Sequence, residues 1–138
     1  MNQLSVSDLM TSDVEKLTSN NSVLEAYDLM AERHFRHLPI VDEDDALVGL
    51  VTERDLLRHV LAQVEDMPLS EQRQLLETIK IAEVMNSDPE FAEPGDDLAS
   101  AGRTLIEQKF GCLPVCEGNK LVGILTETDF VKHVVSSD

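Results

Sequence analysis

The sequence predicts an α/β (α+β) fold: two β-α-β-β-α repeats packed sheet to sheet in a pseudo-twofold module. Three observations lead there. The stretch "LVGLVTERDLLRHV" from Leu47 recurs as "LVGILTETDFVKHV" from Leu121, with 8 of 14 residues identical and no gap. The likeness runs almost the whole chain: a shift of 75 pairs Leu4 with Ile79, Val6 with Ile81, Met10 with Met85, Ala26 with Ala101 and Pro39 with Pro114. Each copy has only about 57 residues, marginal for an independent core, so two copies are expected to bury their apolar strand faces together.

The elements follow in order. Each copy opens with a short helical turn, "VSDLM" or "IAEVM", and continues in an extended piece, "DVEKLT" or "DPEFAE". A helix comes next. In the first copy Ser22 followed by Glu25 is a capping box, and Val23, Ala26, Tyr27, Met30 and Ala31 form its apolar stripe. In the second, Asp96 is the expected N-cap, with Leu98, Ala101, Leu105 and Ile106 as the stripe. Two strands follow, "HLPIV" and "LVGLV" in the first copy, "CLPVC" and "LVGIL" in the second. The acidic run Asp42–Asp45 reads as the solvated hairpin turn of copy one. Beyond Gly49 the shift drops to 74, the one-residue change a hairpin loop tolerates. A second helix closes each copy. The expected boundaries are residues 1–61 for the first repeat, 62–78 for a helical linker and 79–138 for the second repeat. Pro68 is placed to start or break the linker helix.

Composition narrows the function. With 11 Lys and Arg against 27 Asp and Glu, the formal charge of −16 argues against duplex nucleic acid or an anionic membrane as the main partner. No apolar run approaches the ~18 residues of a membrane span, and "MNQLSVSDLM" lacks the basic segment of a signal peptide. Cys112 and Cys116 lie four residues apart on one strand, about 13 Å, too far for a disulfide. They read as small apolar residues in a reducing cytoplasm. His34 and His37 lack a third ligand, so no metal site is expected. No nucleophile elbow or Walker-type glycine loop is present, and an enzyme is not expected.

Thr-x-x-Asp occurs at the same place in both copies, as Thr52 with Asp55 and Thr126 with Asp129. Following a strand and opening a helix, Thr is a natural N-cap and Asp can return a bond to its amide. The usual partner at that third position is Glu or Gln, however, and each motif follows a strand glycine, which permits close approach of another group. A carboxylate at a strand-to-helix junction can also accept the two hydroxyls of a ribose, beside a helix N-terminus that receives phosphate. The residues alone leave cap and ligand hook both open.

The series "DLM…HLPIVDEDDALVGLVTERDLL" and its second form "EVM…CLPVCEGNKLVGILTETDFV" resemble a pair of CBS domains, the cystathionine-β-synthase type. The resemblance implies binding of an adenosine-containing ligand such as AMP, ADP, ATP or S-adenosylmethionine, in clefts between the repeats. It implies a regulatory module that acts on a partner protein, and a homodimer. Carried over, Asp55 and Asp129 become ribose ligands, and Thr52 and Thr126 ligands to ribose or phosphate oxygen. Arg36, His37, Leu38 and Pro39 would line one cleft; Gly111, Cys112, Leu113 and Pro114 would line the other. The extended pieces around Lys16 and Phe91 would offer backbone groups to adenine. Arg36, His37 and Arg54 align with Gly111, Cys112 and Thr128, so any phosphate is expected in the first copy, with the second cleft empty or taking a less charged ligand. The dimer is expected through Leu56, Leu57, Val60, Phe130, Val131 and Val134. The competing reading is a structural or dimerisation module whose Thr-x-x-Asp motifs serve only as caps.

Overall fold

The computed structural model describes residues 4–108 and 111–136. Its elements in order are α1 (Val6–Leu9), β1 (Leu17–Thr18), α2 (Val23–Arg33), β2 (His37–Val41), β3 (Leu47–Thr52) and α3 (Glu53–Leu56). A π-helical turn (Leu57–Leu61), α4 (Ala62–Val64), α5 (Leu69–Thr78) and a 3-10 turn (Ile81–Glu83) follow. The chain then forms α6 (Leu98–Gln108), β4 (Cys112–Glu117), β5 (Lys120–Thr126) and α7 (Glu127–Ser136). The expected β-α-β-β-α order is present in both copies, with the first extended piece of copy two reduced to one parallel bridge, Ala92 with Val115.

The chain divides into two compact units, and they are not the two sequence repeats. Glu15–Pro89 form one unit; residues up to Val14 join those from Glu90 onward in the other. Each opening turn has been exchanged. In the unit Glu15–Pro89, Ile79 O accepts from Val23 N at 2.8 Å and Asn21 O from Ile81 N at 2.9 Å. Asn86 and Leu50 exchange both backbone bonds. The other unit repeats these bonds at shifted numbers: Leu98 N to Leu4 O, Val6 N to Asp96 O, and a reciprocal pair between Thr11 and Ile124.

The exchange explains two repeated residues. A Cβ built on Gly49 would collide with Met85 Sδ and meet Asn86 O at 3.1 Å. On Gly123 it would meet Met10 Sδ at 2.7 Å and Thr11 O at 3.0 Å. The strand glycine is therefore the seat of the methionine that ends the opening turn.

In the unit Glu15–Pro89 the sheet order is β1-β2-β3, with β1 parallel and β3 antiparallel to β2. Its core joins Val23, Ala26 and Met30 of α2 to Leu38, Ile40 and Val51 of the sheet, with Leu56, Val60, Leu76 and Ile81. The other unit packs Val6, Leu98, Ala101 and Leu105 on Leu113, Val115 and Leu125 of the β4-β5 hairpin. Ser22 caps α2 as expected: its Oγ accepts from Glu25 N at 3.1 Å and Glu25 Oε1 accepts from Ser22 N at 3.4 Å. Pro68 immediately precedes α5 and accepts from Gln72 N. A two-bond ion pair, Arg73 to Asp28 at 2.9 and 3.2 Å, ties α5 to α2. The Asp42–Asp45 turn closes on Asp42 Oδ1, which accepts from Asp44 N and Ala46 N.

Several expectations require correction. The cap of α6 is Asp97, whose Oδ2 accepts from Ser100 N at 3.1 Å. Asp96 instead closes the preceding turn by accepting from Glu93 N at 2.9 Å. Two acidic residues in a row made either one acceptable to the pattern. Tyr27, Ala31 and Ile106 fall at the edge of their helical stripes and are exposed, Ile106 to 77%. Leu56 and Val60 do not face out for a partner. Each is 2% exposed, because the helix following β3 packs them under α2 and α5. Leu57, Val131 and Val134 are exposed.

Candidate functional site

Both Thr-x-x-Asp motifs sit where a strand runs directly into a helix, β3 into α3 and β5 into α7. Each forms a local cap. Thr52 N donates to Asp55 Oδ2 at 3.1 Å, and Thr52 Oγ1 accepts from Asp55 N at 3.1 Å. Thr126 N donates to Asp129 Oδ2 at 2.8 Å, and Thr126 Oγ1 lies 3.3 Å from the same oxygen. Asp serves in place of Glu because its shorter arm still reaches the amide three residues back. In each cap Oδ2 takes the amide and Oδ1 stands outside it.

The strands bring further expected residues to these caps. His37 pairs with Thr52 across β2-β3, and Arg36 O accepts from Glu53 N at 2.8 Å. Arg36, His37, Thr52, Arg54 and Asp55 thus share one end of the sheet, with both arginines exposed to solvent. In the other unit Cys112 pairs with Thr126, and Gly111 precedes it with φ of 77°. That left-handed backbone suits glycine, so the place aligned with Arg36 could not take an arginine side chain without strain.

Other expected residues are placed differently. Leu38, Pro39, Leu113 and Pro114 are buried, and Leu38 and Leu113 belong to the two cores. Lys16 turns its ammonium to Asp45 of the hairpin at 3.0 Å, away from the Thr52 end of β2. Phe91 is half exposed. With Glu90, Ala92, Asp96, Asp97, Ser100, Ala101, Thr104 and Leu113 it lines a hollow of about 250 Å³. A second hollow, about 330 Å³, is lined by Val60, Gln63, Ile79, Glu83, Val84 and Met85 and holds none of the expected ligand residues.

Sequence reasoning passed over Thr11. Its Oγ1 donates to Asp129 Oδ1 at 3.1 Å. The signal was available: Thr11 directly follows Met10, the residue whose counterpart in the second copy is Met85. Only the exchanged packing shows why that neighbour reaches the motif.

The two cysteines are free and buried. Burial pushes the Cys112 thiol up to about 12 and raises Cys116 in the same direction. The raised folded-state value means that the unfolded chain loses this proton first. Stability should therefore fall as pH rises from about 9 towards 12, and the native thiol should resist alkylation at pH 8. Rapid iodoacetamide labelling of Cys112 in the folded protein would contradict this placement. No cluster of three metal-ligating side chains occurs among the described residues. No helix among them is long and apolar enough to cross a membrane.

Comparison with known proteins agrees with this architecture. The CBS domain model matches residues 6–62 and 81–136. The chain belongs to the CBS-domain family. Its structure superposes on an acetoin utilization protein (AcuB) from Vibrio cholerae with a TM-score of 0.80 and 31% identity, covering 98% of this chain and 94% of that one. CBSX2 crystallised in complex with AMP gives 0.78 and 30%, covering 95% and 96%. The CBS domain pair of protein MJ0100, crystallised with 5′-methylthioadenosine and S-adenosylmethionine, gives 0.78 and 25%, covering 95% and 99%. Among curated relatives, protein MJ1225 of Methanocaldococcus jannaschii is 31% identical over 127 residues, 92% of this chain. The chain spans 41% of that protein's length and 24% of a homoserine O-acetyltransferase of Methanobrevibacter ruminantium.

Proposed function

We propose that the chain is a regulatory module that binds an adenosine-containing ligand and passes its occupancy to a partner protein. The carrying observation is the repeated Asp at a strand-to-helix junction with one carboxylate oxygen outside the cap. Relatives crystallised with AMP, or with 5′-methylthioadenosine and S-adenosylmethionine, support the same ligand class. Asp55 and Asp129 accept ribose hydroxyls, Thr52 and Thr126 take ribose or phosphate oxygen, and the backbone beside Lys16 and Phe91 meets adenine. His37, Leu38 and Pro39 shape one site; Cys112, Leu113 and Pro114 shape the other. The chain does no catalysis of its own in this reading. It works in the cytoplasm as a homodimer, for which Leu57, Val131 and Val134 remain the exposed apolar residues.

The phosphate belongs to the site with Arg36 and Arg54, because the other site offers Gly111 and Thr128. Arg36→Ala should weaken ATP severalfold while leaving adenosine nearly unchanged, since only the phosphates need the guanidinium. Equal losses for the two ligands, read by calorimetry, would remove Arg36 from the phosphate site. The reading as a whole is tested by thermal melting against a nucleotide panel. A ligand at ~100 times its Kd adds about 2.7 kcal/mol.

A second reading has its own support. Both Asp carboxylates already serve their threonine amides, so a purely structural module with Thr-x-x-Asp as caps accounts for the bonds observed.

A further inference from the structure

We infer that Thr11 competes with a ligand's ribose for Asp129, so that the two Asp sites of one chain fill in order. The inference rests on the ligand reading above. A carboxylate offers about four acceptor positions. Asp129 has three donors on it: Thr126 N at 2.8 Å and Thr126 Oγ1 at 3.3 Å on Oδ2, and Thr11 Oγ1 at 3.1 Å on Oδ1. A vicinal diol brings two more, one beyond capacity. One donor must leave. The Thr126 hydroxyl, the longest of the three at 3.3 Å, would free a place only on Oδ2, which the cap amide already holds. A diol arriving at Oδ1 outside the cap therefore meets Thr11. The Thr126 amide is fixed by the helix start, whereas Thr11 is exposed and its hydroxyl can rotate into water.

Asp55 stands in the opposite condition. Its Oδ2 accepts from Thr52 N, while Thr52 Oγ1 acts as an acceptor from Asp55 N and places no donor on the carboxylate. The residue matching Thr11 is Asn86. It keeps the same backbone pairing, with Leu50 in place of Ile124, but carries no hydroxyl. Among the described residues no hydrogen bond joins Asn86 to Asp55. A diol therefore reaches Asp55 without displacing anything, and Asp129 fills second.

The test isolates the Asp129 site by working in full-length Asp55→Asn protein and titrating with AMP by calorimetry. Adding Thr11→Val, which keeps the shape and removes the hydroxyl, should tighten AMP about three- to tenfold. Thr11→Ser should match the parent. With 2′,3′-dideoxy-AMP, which has no diol, Thr11→Val should change nothing. Unchanged or weaker AMP binding in Thr11→Val would overturn the inference, and weaker binding would make Thr11 a ligand contact instead. Equal gains for AMP and its dideoxy form would also overturn it. Failure of the underlying reading looks different: adding Asp129→Asn to the same background would leave AMP affinity unaltered, or AMP would bind to no variant, the parent included.

Discussion

Asp55→Asn and Asp129→Asn should each stay folded, and at least one should lose adenosine-ligand affinity by more than tenfold. Asn is the same size as Asp, and its side-chain oxygen can still accept from the threonine amide, so the cap survives at a cost of about 1 kcal/mol or less. Ribose recognition has no such substitute. A carboxylate accepts charge-assisted bonds from both hydroxyls, and neutralising it should remove about 1.5–3 kcal/mol of binding. Melting curves and calorimetric titration of the same samples separate the two effects. If both variants bind as the parent does, the motifs are caps and the second reading stands.

Gly123→Ala and Gly49→Ala should be the most damaging small substitutions outside the site. Gly123→Ala places a methyl 2.7 Å from Met10 Sδ and 3.0 Å from Thr11 O. The methionine can swing aside, but the carbonyl is held by its bond from Ile124 N at 2.9 Å. Gly49→Ala meets the same arrangement of Met85 and Asn86 O. Overpacking of this kind costs about 1–3 kcal/mol, and here it opposes backbone that cannot yield freely. Urea unfolding should show a lower midpoint, and combining Gly123→Ala with Met10→Ala should recover only part of the loss. A midpoint within error of the parent would mean that the opening turn does not sit on the strand.

The sequence carried the repeat, the β-α-β-β-α order, the Ser22–Glu25 cap and the positions of both Thr-x-x-Asp junctions. These are legible because they are local: periodicity, caps and turn chemistry act within a few residues. The exchange of the opening turns was not legible. Nothing within "VSDLM" distinguishes packing on its own copy from packing on the other, since the two bodies present nearly the same strand. The glycine before each motif does permit close approach, but the space is filled from within the protein, so it does not favour a ligand over a cap. The group that approaches is Met10 or Met85, 113 and 36 positions away in sequence from its glycine. Leu56 and Val60 show the same limit from the other side. Their spacing marks an apolar face, but only the tertiary packing with α2, the sheet and α5 decides that this face is covered.

The claim that this chain is a ligand sensor comes down to equilibrium binding by the intact protein. AMP, ATP, adenosine and S-adenosylmethionine should be titrated separately into the parent chain by calorimetry, with melting curves taken before and after. At least one should bind saturably with a Kd on the order of micromolar and raise the melting temperature. A folded protein that shows no heat of binding and no melting shift with any of the four at about millimolar ligand would contradict it.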